Sequence, residues 1–109
     1  MAGKKTAEFM IVNRRSGKAL QATGLDNGLV VEQAEPAKTD AQTWTSLETE
    51  GGVKFFNKAC GKVLDVMANG TANGTWVQTW EDVDGESQLW KLVTVSPTYK
   101  KIVNVMADK

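Results

Sequence analysis

Few side chains in this sequence could do covalent chemistry. Histidine is absent from the 109 residues, which removes the commonest general base and metal ligand. Cys60 is the one cysteine. It stands beside Gly61 at a turn, with no histidine to activate it and no second cysteine for an intrachain disulfide, so it reads as an inert thiol. The run Asp82-x-Asp84-Gly85-Glu86 resembles a calcium loop. The twelve-residue spacing to a bidentate glutamate is missing, and the run reads as a solvated acidic turn. No metal and no cofactor are expected, and no enzymatic activity. Asn69-Gly-Thr71 and Asn73-Gly-Thr75 are glycosylation sequons. They matter only in a eukaryotic secretory path; turn chemistry explains them otherwise.

The elements that position everything else are repeated. Gln42-Thr43-Trp44 and Gln88-Leu89-Trp90 share the form Gln-x-Trp, with tryptophans 46 positions apart. The flanking sequences superimpose. Asn13 falls on Asn57, Gly17-Lys18 on Gly61-Lys62, and Leu20 on Leu64. Asn27-Gly28 falls on Asn73-Gly74, and Val31 on Val77. The offset is 44 at the start of the copy and 46 at its end, a two-residue insertion near Gly70. A third copy begins near Lys101: Ile102-Val103-Asn104 matches Ile11-Val12-Asn13, and Lys109 falls where Lys18 stands. Such self-similarity means a repeat architecture. Copy one covers about 9–52, copy two about 53–97, and a partial third about 98–109 of a single domain spanning 1–109.

Composition sets outer limits. Hydrophobic residues at 41% and charged residues at 24% describe a globular domain with room for one core. The formal net charge is zero, with no basic stripe or patch, so nucleic acid is not an expected partner. No apolar run approaches the roughly 20 residues of a membrane helix, and membrane insertion is not expected. Residues 1–8 lack the apolar centre of a signal peptide. The compartment stays open between cytoplasm and the mature form of a secreted protein.

The local signals are short strands. Apolar and β-branched runs occupy 9–12, 29–33, 43–47, 53–57, 63–66, 76–80, 89–95 and 102–105. Glycine, asparagine, aspartate and serine lie between them. Asn27-Gly28, Asn73-Gly74 and Asp84-Gly85 read as tight turns with left-handed backbone. Gly51-Gly52 separates copy one from copy two, and Pro97 separates copy two from the third. Residues 38–42 are compatible with one helical turn. Four strands in each copy of roughly 45 residues also suit a β-propeller blade. Propellers need typically four or more blades, and Trp44 and Trp90 are followed by Thr45 and Lys91 rather than aspartate.

A repeated tryptophan suits a core anchor, because an indole buries a large area and its N–H can be matched to a fixed partner. Trp44 and Trp90 are read this way, with Gln42 and Gln88 as local hydrogen-bonding residues.

The segments 61–66, 73–80 and 87–90, which carry Gly-Lys-x-Leu-Asp, the Asn-Gly turn and Gln-x-Trp at matched spacing, resemble one repeat of a ricin B-type lectin domain. The resemblance covers nearly the whole chain, from Phe9 to Lys109. It implies an all-β fold of β-trefoil type, with repeats of four short strands around a pseudo-threefold axis and the third repeat truncated here. It also implies non-catalytic carbohydrate binding, in shallow pockets where an aspartate accepts bonds from two hydroxyls, a ring stacks on the sugar, and an amide completes the rim. Bonds to the charged acceptor are the stronger ones.

Carried over by position, the resemblance assigns Asp65 as the sugar-binding aspartate and Trp80 as the stacking ring. Gln78 and Gln88 fall on polar positions of the family, and the resemblance carries both over, with Ser87, as sugar-binding residues. Ser87 stands where the family has asparagine, which alters the rim. Copy one has Gln21, Ala34 and Glu32 where copy two has Asp65, Trp80 and Gln78, so its pocket is expected to be dead. The framework recurs while the ring and carboxylate occur once, which favours a binding role for that pair over a turn cap and a half-buried strand residue. A galactose-type sugar is the expected ligand. The truncated third repeat implies a homo-oligomer that completes the trefoil; an excised or engineered fragment, or a family member that closes in its own way, are the alternatives. A trefoil scaffold for protein interaction or inhibition, with no sugar site, is the rival function.

Overall fold

The computed structural model describes residues 8–67, 70–72 and 74–107. Asn69 and Asn73 of the two sequons, Asp108 and Lys109 of the charged end, and residues 1–7 lie outside the described residues. Among the described residues nine strands follow in chain order: β1 (Ala19–Gln21), β2 (Leu29–Val30), β3 (Glu32–Ala34), β4 (Trp44–Thr49), β5 (Gly52–Asn57), β6 (Val63–Val66), β7 (Val77–Trp80), β8 (Trp90–Ser96) and β9 (Tyr99–Asn104). No α-helix occurs among the described residues. β1 and β3 form a two-stranded sheet. The other seven strands form one sheet in the order β2-β7-β6-β5-β8-β9, with β4 branching off β5.

The repeat in the sequence is a repeat in space. Trp44 and Trp90 are 0% and 5% exposed. Each donates its indole N–H to the equivalent carbonyl, Leu20 O and Leu64 O, at 3.0 Å in both copies. The ring is thereby buried without an unpaired donor. Val31, Phe55, Leu64 and Val66 pack with the two tryptophans, and Ile11, Leu20, Val77 and Ile102 pack against that cluster. Ile11, Phe55 and Ile102 are equivalent positions of the three copies, so each copy sends one residue to a shared core.

The turns repeat as well. Gly17 and Gly61 both have φ 70°, and Gly28 and Gly74 both have φ 84°, backbone that residues with a Cβ avoid. Asn13 and Asn57 use their side-chain oxygens to accept backbone N–H groups of the turns that follow. Asn57 and Asn104 donate to Ala41 O and Ser87 O, both at 2.9 Å. These carbonyls belong to short 3₁₀ turns at Asp40–Gln42 and Glu86–Gln88. The helical turn expected at 38–42 is the first of these; the second was not anticipated, although Gln88 aligns with Gln42.

Three strand expectations are revised, and one strand is new. Residues 9–12 make only isolated bridges, Phe9 to Trp44 and Val12 to Ala19. Their equivalents β5 and β9 are held by the hairpin strands β4 and β8, and no such strand faces 9–12 among the described residues. The run 29–33 breaks at buried Val31, so that β2 joins β7 while β3 pairs with β1. β1 itself was not expected. β9 starts at Tyr99, three residues earlier than the apolar run, because the hairpin with β8 extends it. Gly51-Gly52 and Pro97, read as separators of the copies, lie in the tight hairpins β4–β5 and β8–β9. At Asp84-Gly85 the left-handed residue is Asp84, with φ 57°, while Gly85 has φ −79°.

Candidate functional site

β6 and β7 pair antiparallel with Val63 opposite Trp80, Leu64 opposite Thr79, Asp65 opposite Gln78 and Val66 opposite Val77. Side chains alternate across a strand. Leu64, Val66 and Val77 go to the core, which turns Asp65, Gln78 and Trp80 to the other face. There they line a hollow of about 430 Å³ with Val66, Met67, Val83 and Ser87. Four of the five residues singled out from the sequence, Asp65, Gln78, Trp80 and Ser87, therefore meet in one place.

Gln88 does not line the hollow. It is 0% exposed, and both ends of its amide are occupied. Its Nε2 donates to Glu81 O at 2.8 Å, and its Oε1 accepts the Val83 N–H at 3.0 Å. Gln42 does the same for Glu35 O and Ala37 N–H. The assignment of Gln88 as a ligand contact is corrected on that ground: its amide holds the loop that carries Val83.

Asp65 is the chemically unusual member. It is 6% exposed. Its Oδ2 accepts a long bond from Gln78 Nε2 at 3.4 Å. Among the described residues no donor bonds its Oδ1. A buried polar oxygen without a partner is costly and calls for an explanation. A hydroxyl donor entering the hollow would supply one.

Trp80 is half-buried. Its six-membered ring lies over Gly28 of copy one: a Cβ on Gly28 would stand 3.3 Å from Trp80 Cζ3 and 3.8 Å from Gln78 Oε1. β2 of copy one pairs with β7, Leu29 opposite Thr79 and Val30 opposite Gln78. Asn27 Oδ1 accepts the Glu81 N–H at 2.9 Å. The Asn27-Gly28 turn thus buttresses the ring wall of the hollow in the other copy.

The loop 81–85 is held from a third side. Lys54 on β5 is buried and makes ion pairs with Asp82, at 3.0 Å, and with Asp84. Burial alone lowers an ammonium pKa; the hydrogen bonds Lys54 donates to Asp84 and Asp82, and their charges, outweigh it, and the Lys54 pKa is raised above its ordinary 10.5. The acidic turn expected to be merely solvated is clasped instead. Sequence reasoning missed Lys54, Val83, Val66, Met67 and the Asn27-Gly28 buttress. A signal for Lys54 existed: copy one has Met10 at its position, and Pro36 and Lys38 where Asp82 and Asp84 stand, so the cation and both acids are lost together.

The chain belongs to the ricin-type β-trefoil lectin domain-like family, which matches residues 2–80 and 51–109. It is 35% identical over 101 residues to an exo-β-1,6-galactobiohydrolase of Bifidobacterium longum, covering 87% of this chain and 7% of that protein. Among solved structures it resembles a designed threefold-symmetric protein, ThreeFoil, with TM-score 0.91 and 30% identity over 95% of this chain and 76% of that one. It also resembles an exo-β-1,3-galactanase from Clostridium thermocellum, with TM-score 0.90 and 27% identity over 95% of this chain and 23% of that enzyme. The chain thus spans a small part of the two enzymes. The expected all-β trefoil fold is the fold of these neighbours.

Proposed function

We infer that the chain is a non-catalytic carbohydrate-binding module with one sugar pocket, the copy-two hollow, which takes a galactose-type sugar. The observation that carries the reading is Asp65 Oδ1, a buried carboxylate oxygen without a donor among the described residues, at the wall of a hollow that also holds a tryptophan ring. Asp65 accepts two sugar hydroxyls, Trp80 stacks on the C–H face, and Gln78 and Ser87 form the rim. Membership of a lectin-domain family supports this. So do the names of two relatives, which act on galactose-containing substrates; the chain matches only a small part of each, as an accessory module would. One shallow pocket gives weak monosaccharide binding, at roughly millimolar Kd or about 4 kcal/mol.

Glycan-array binding by the wild type, lost in Asp65→Ala, tests the reading. The rival, a protein-interaction scaffold, predicts no glycan signal from either form.

Self-association is part of the same proposal. A groove of about 670 Å³ runs between residues 10–14 and β9, lined by Met10, Val12, Leu20 and Ile102 and, in equal measure, by polar residues that include Arg14, Lys18 and Lys100. A second copy seated there would cover the apolar part of that groove, and several weak pockets in one assembly would act together. Sedimentation showing a strict monomer at all concentrations would exclude it.

A further inference from the structure

The site is bordered by a second tryptophan that the pocket does not use. Trp76 is 65% exposed, the one aromatic ring so exposed among the described residues. A single exposed apolar side chain is ordinary; the position of this one is not. The Met67 N–H donates to Trp76 O at 2.9 Å, which adds one rung to the ladder that pairs Asp65 with Gln78. Trp76 stands one residue before β7, and this rung continues the alternation of Gln78 and Trp80 to it, on the same face. Met67, which lines the hollow, is the cross-strand neighbour of Trp76, at a typical Cβ separation of about 5 Å.

Trp76 and Trp80 bracket Gln78, with backbones about 13 Å apart, four residues at about 3.3 Å each. That is longer than one pyranose ring. A monosaccharide in the hollow reaches Asp65 and Trp80 and leaves the indole of Trp76 bare. Copy one has Val30 and Ala34 at the two aromatic positions, so both rings occur together or not at all.

We propose that Trp76 is a second aromatic subsite, and that the face from Trp80 to Trp76 selects a short β-linked galacto-oligosaccharide over galactose. This rests on the carbohydrate-binding reading above. One galactose occupies the hollow, and the C–H face of a linked residue stacks on the Trp76 indole. That stack is apolar and adds no charged contact, so it tightens binding while leaving the recognition of hydroxyls to Asp65.

The test is NMR titration of the wild type, Trp76→Ala, Trp76→Phe and Trp80→Ala with galactose, β-1,3-galactotriose and β-1,6-galactotriose. One added aromatic contact corresponds to about tenfold in affinity. The wild type should therefore bind at least one triose about tenfold tighter than galactose. Trp76→Ala should bring that triose to within about twofold of galactose and leave the galactose Kd unchanged, because the ring is exposed and its loss leaves the core intact. Trp76→Phe should keep most of the preference, and Trp80→Ala should weaken all three sugars. If the triose preference survives in Trp76→Ala, or never exists in the wild type while galactose binds, the subsite is wrong and the pocket stands. If no sugar binds the wild type, the pocket reading and the subsite fall together.

Discussion

Copy one and copy two share a framework and differ at one face. Both bury a tryptophan bonded to a leucine carbonyl, and both spend a glutamine amide on the same loop. In copy one the hollow's positions hold Gln21 and Glu32, bonded to each other at 2.8 Å. Copy two has the acid and the amide on the opposite strands, Asp65 and Gln78. In copy one the carboxylate is exposed and partnered; in copy two it is buried, and one oxygen has no partner among the described residues. Ala34 replaces the ring, Ala41 replaces Ser87, and Met10 and Pro36 replace the lysine clasp and one of its acids. The site therefore varies as a set while the framework stays fixed. Copy one has also taken on a second task, since its Asn27-Gly28 turn supports Trp80.

The largest expected effect sharpens the shared half of this comparison. Trp44→Ala and Trp90→Ala should each cost about 3–5 kcal/mol as core truncations, enough to unfold so small a domain. Thermal melts of the two variants should agree closely. A folded Trp90→Ala beside an unfolded Trp80→Ala would reverse the assignment of core and site.

The next effect lies on the clasp. Lys54→Met should destabilise by about 1–2 kcal/mol, less than the loss of one partner of a fully buried pair, because the Asp84 side chain is 84% exposed and can rehydrate. It should also weaken sugar binding by loosening the loop that carries Val83. Denaturant melts and a galactose titration read the two separately, and Met10→Lys in copy one should change neither. The clasp also has a pH signature. The Lys54 pKa is raised by folding, so its stabilisation is fully present below the ordinary lysine pKa and is lost as pH rises through the raised value. Stability should fall in that alkaline range in the wild type and stay flatter in Lys54→Met.

A smaller effect tests the crossing between copies. Gly28→Ala places a Cβ at φ 84° and 3.3 Å from the Trp80 ring. It should cost about 1 kcal/mol and lower sugar affinity by shifting the ring. Gly17→Ala has similar backbone strain but nothing within 4 Å of the added carbon, and should leave binding unchanged.

The smallest effect is a gain. Gln21→Asp with Ala34→Trp restores acceptor and ring in copy one, and should add at most a second, weaker site. The loop there still has Pro36-Ala37-Lys38, without the clasp or a valine at the position of Val83. A new site as strong as the first would show that the clasp is irrelevant.

Much of this was legible in the sequence because a repeat tests itself. The Gln-x-Trp anchors, the turn glycines and the contrast between Asp65 and Gln21 came from laying one copy on the other. β1 was missed because Ala19-Leu20-Gln21 is short and has little β-branching; its pairing with β3 forms it. Lys54 was missed because a charge inside an apolar strand reads as solvent-facing until its acidic partners, 28 and 30 residues away, are seen beside it. Gln88 was over-read, since a polar residue at a family position does not reveal whether its amide faces a ligand or a loop.

The central claim is that copy two alone recognises sugar. Two-dimensional ¹H–¹⁵N chemical-shift mapping during a galactose titration tests it most directly. The account predicts perturbations at Asp65, Gln78, Trp80, Val83 and Ser87, spreading to Gly28, with Gln21 and Ala34 still. Perturbations centred on Gln21 and Ala34, with none around Asp65 and Trp80, would contradict it.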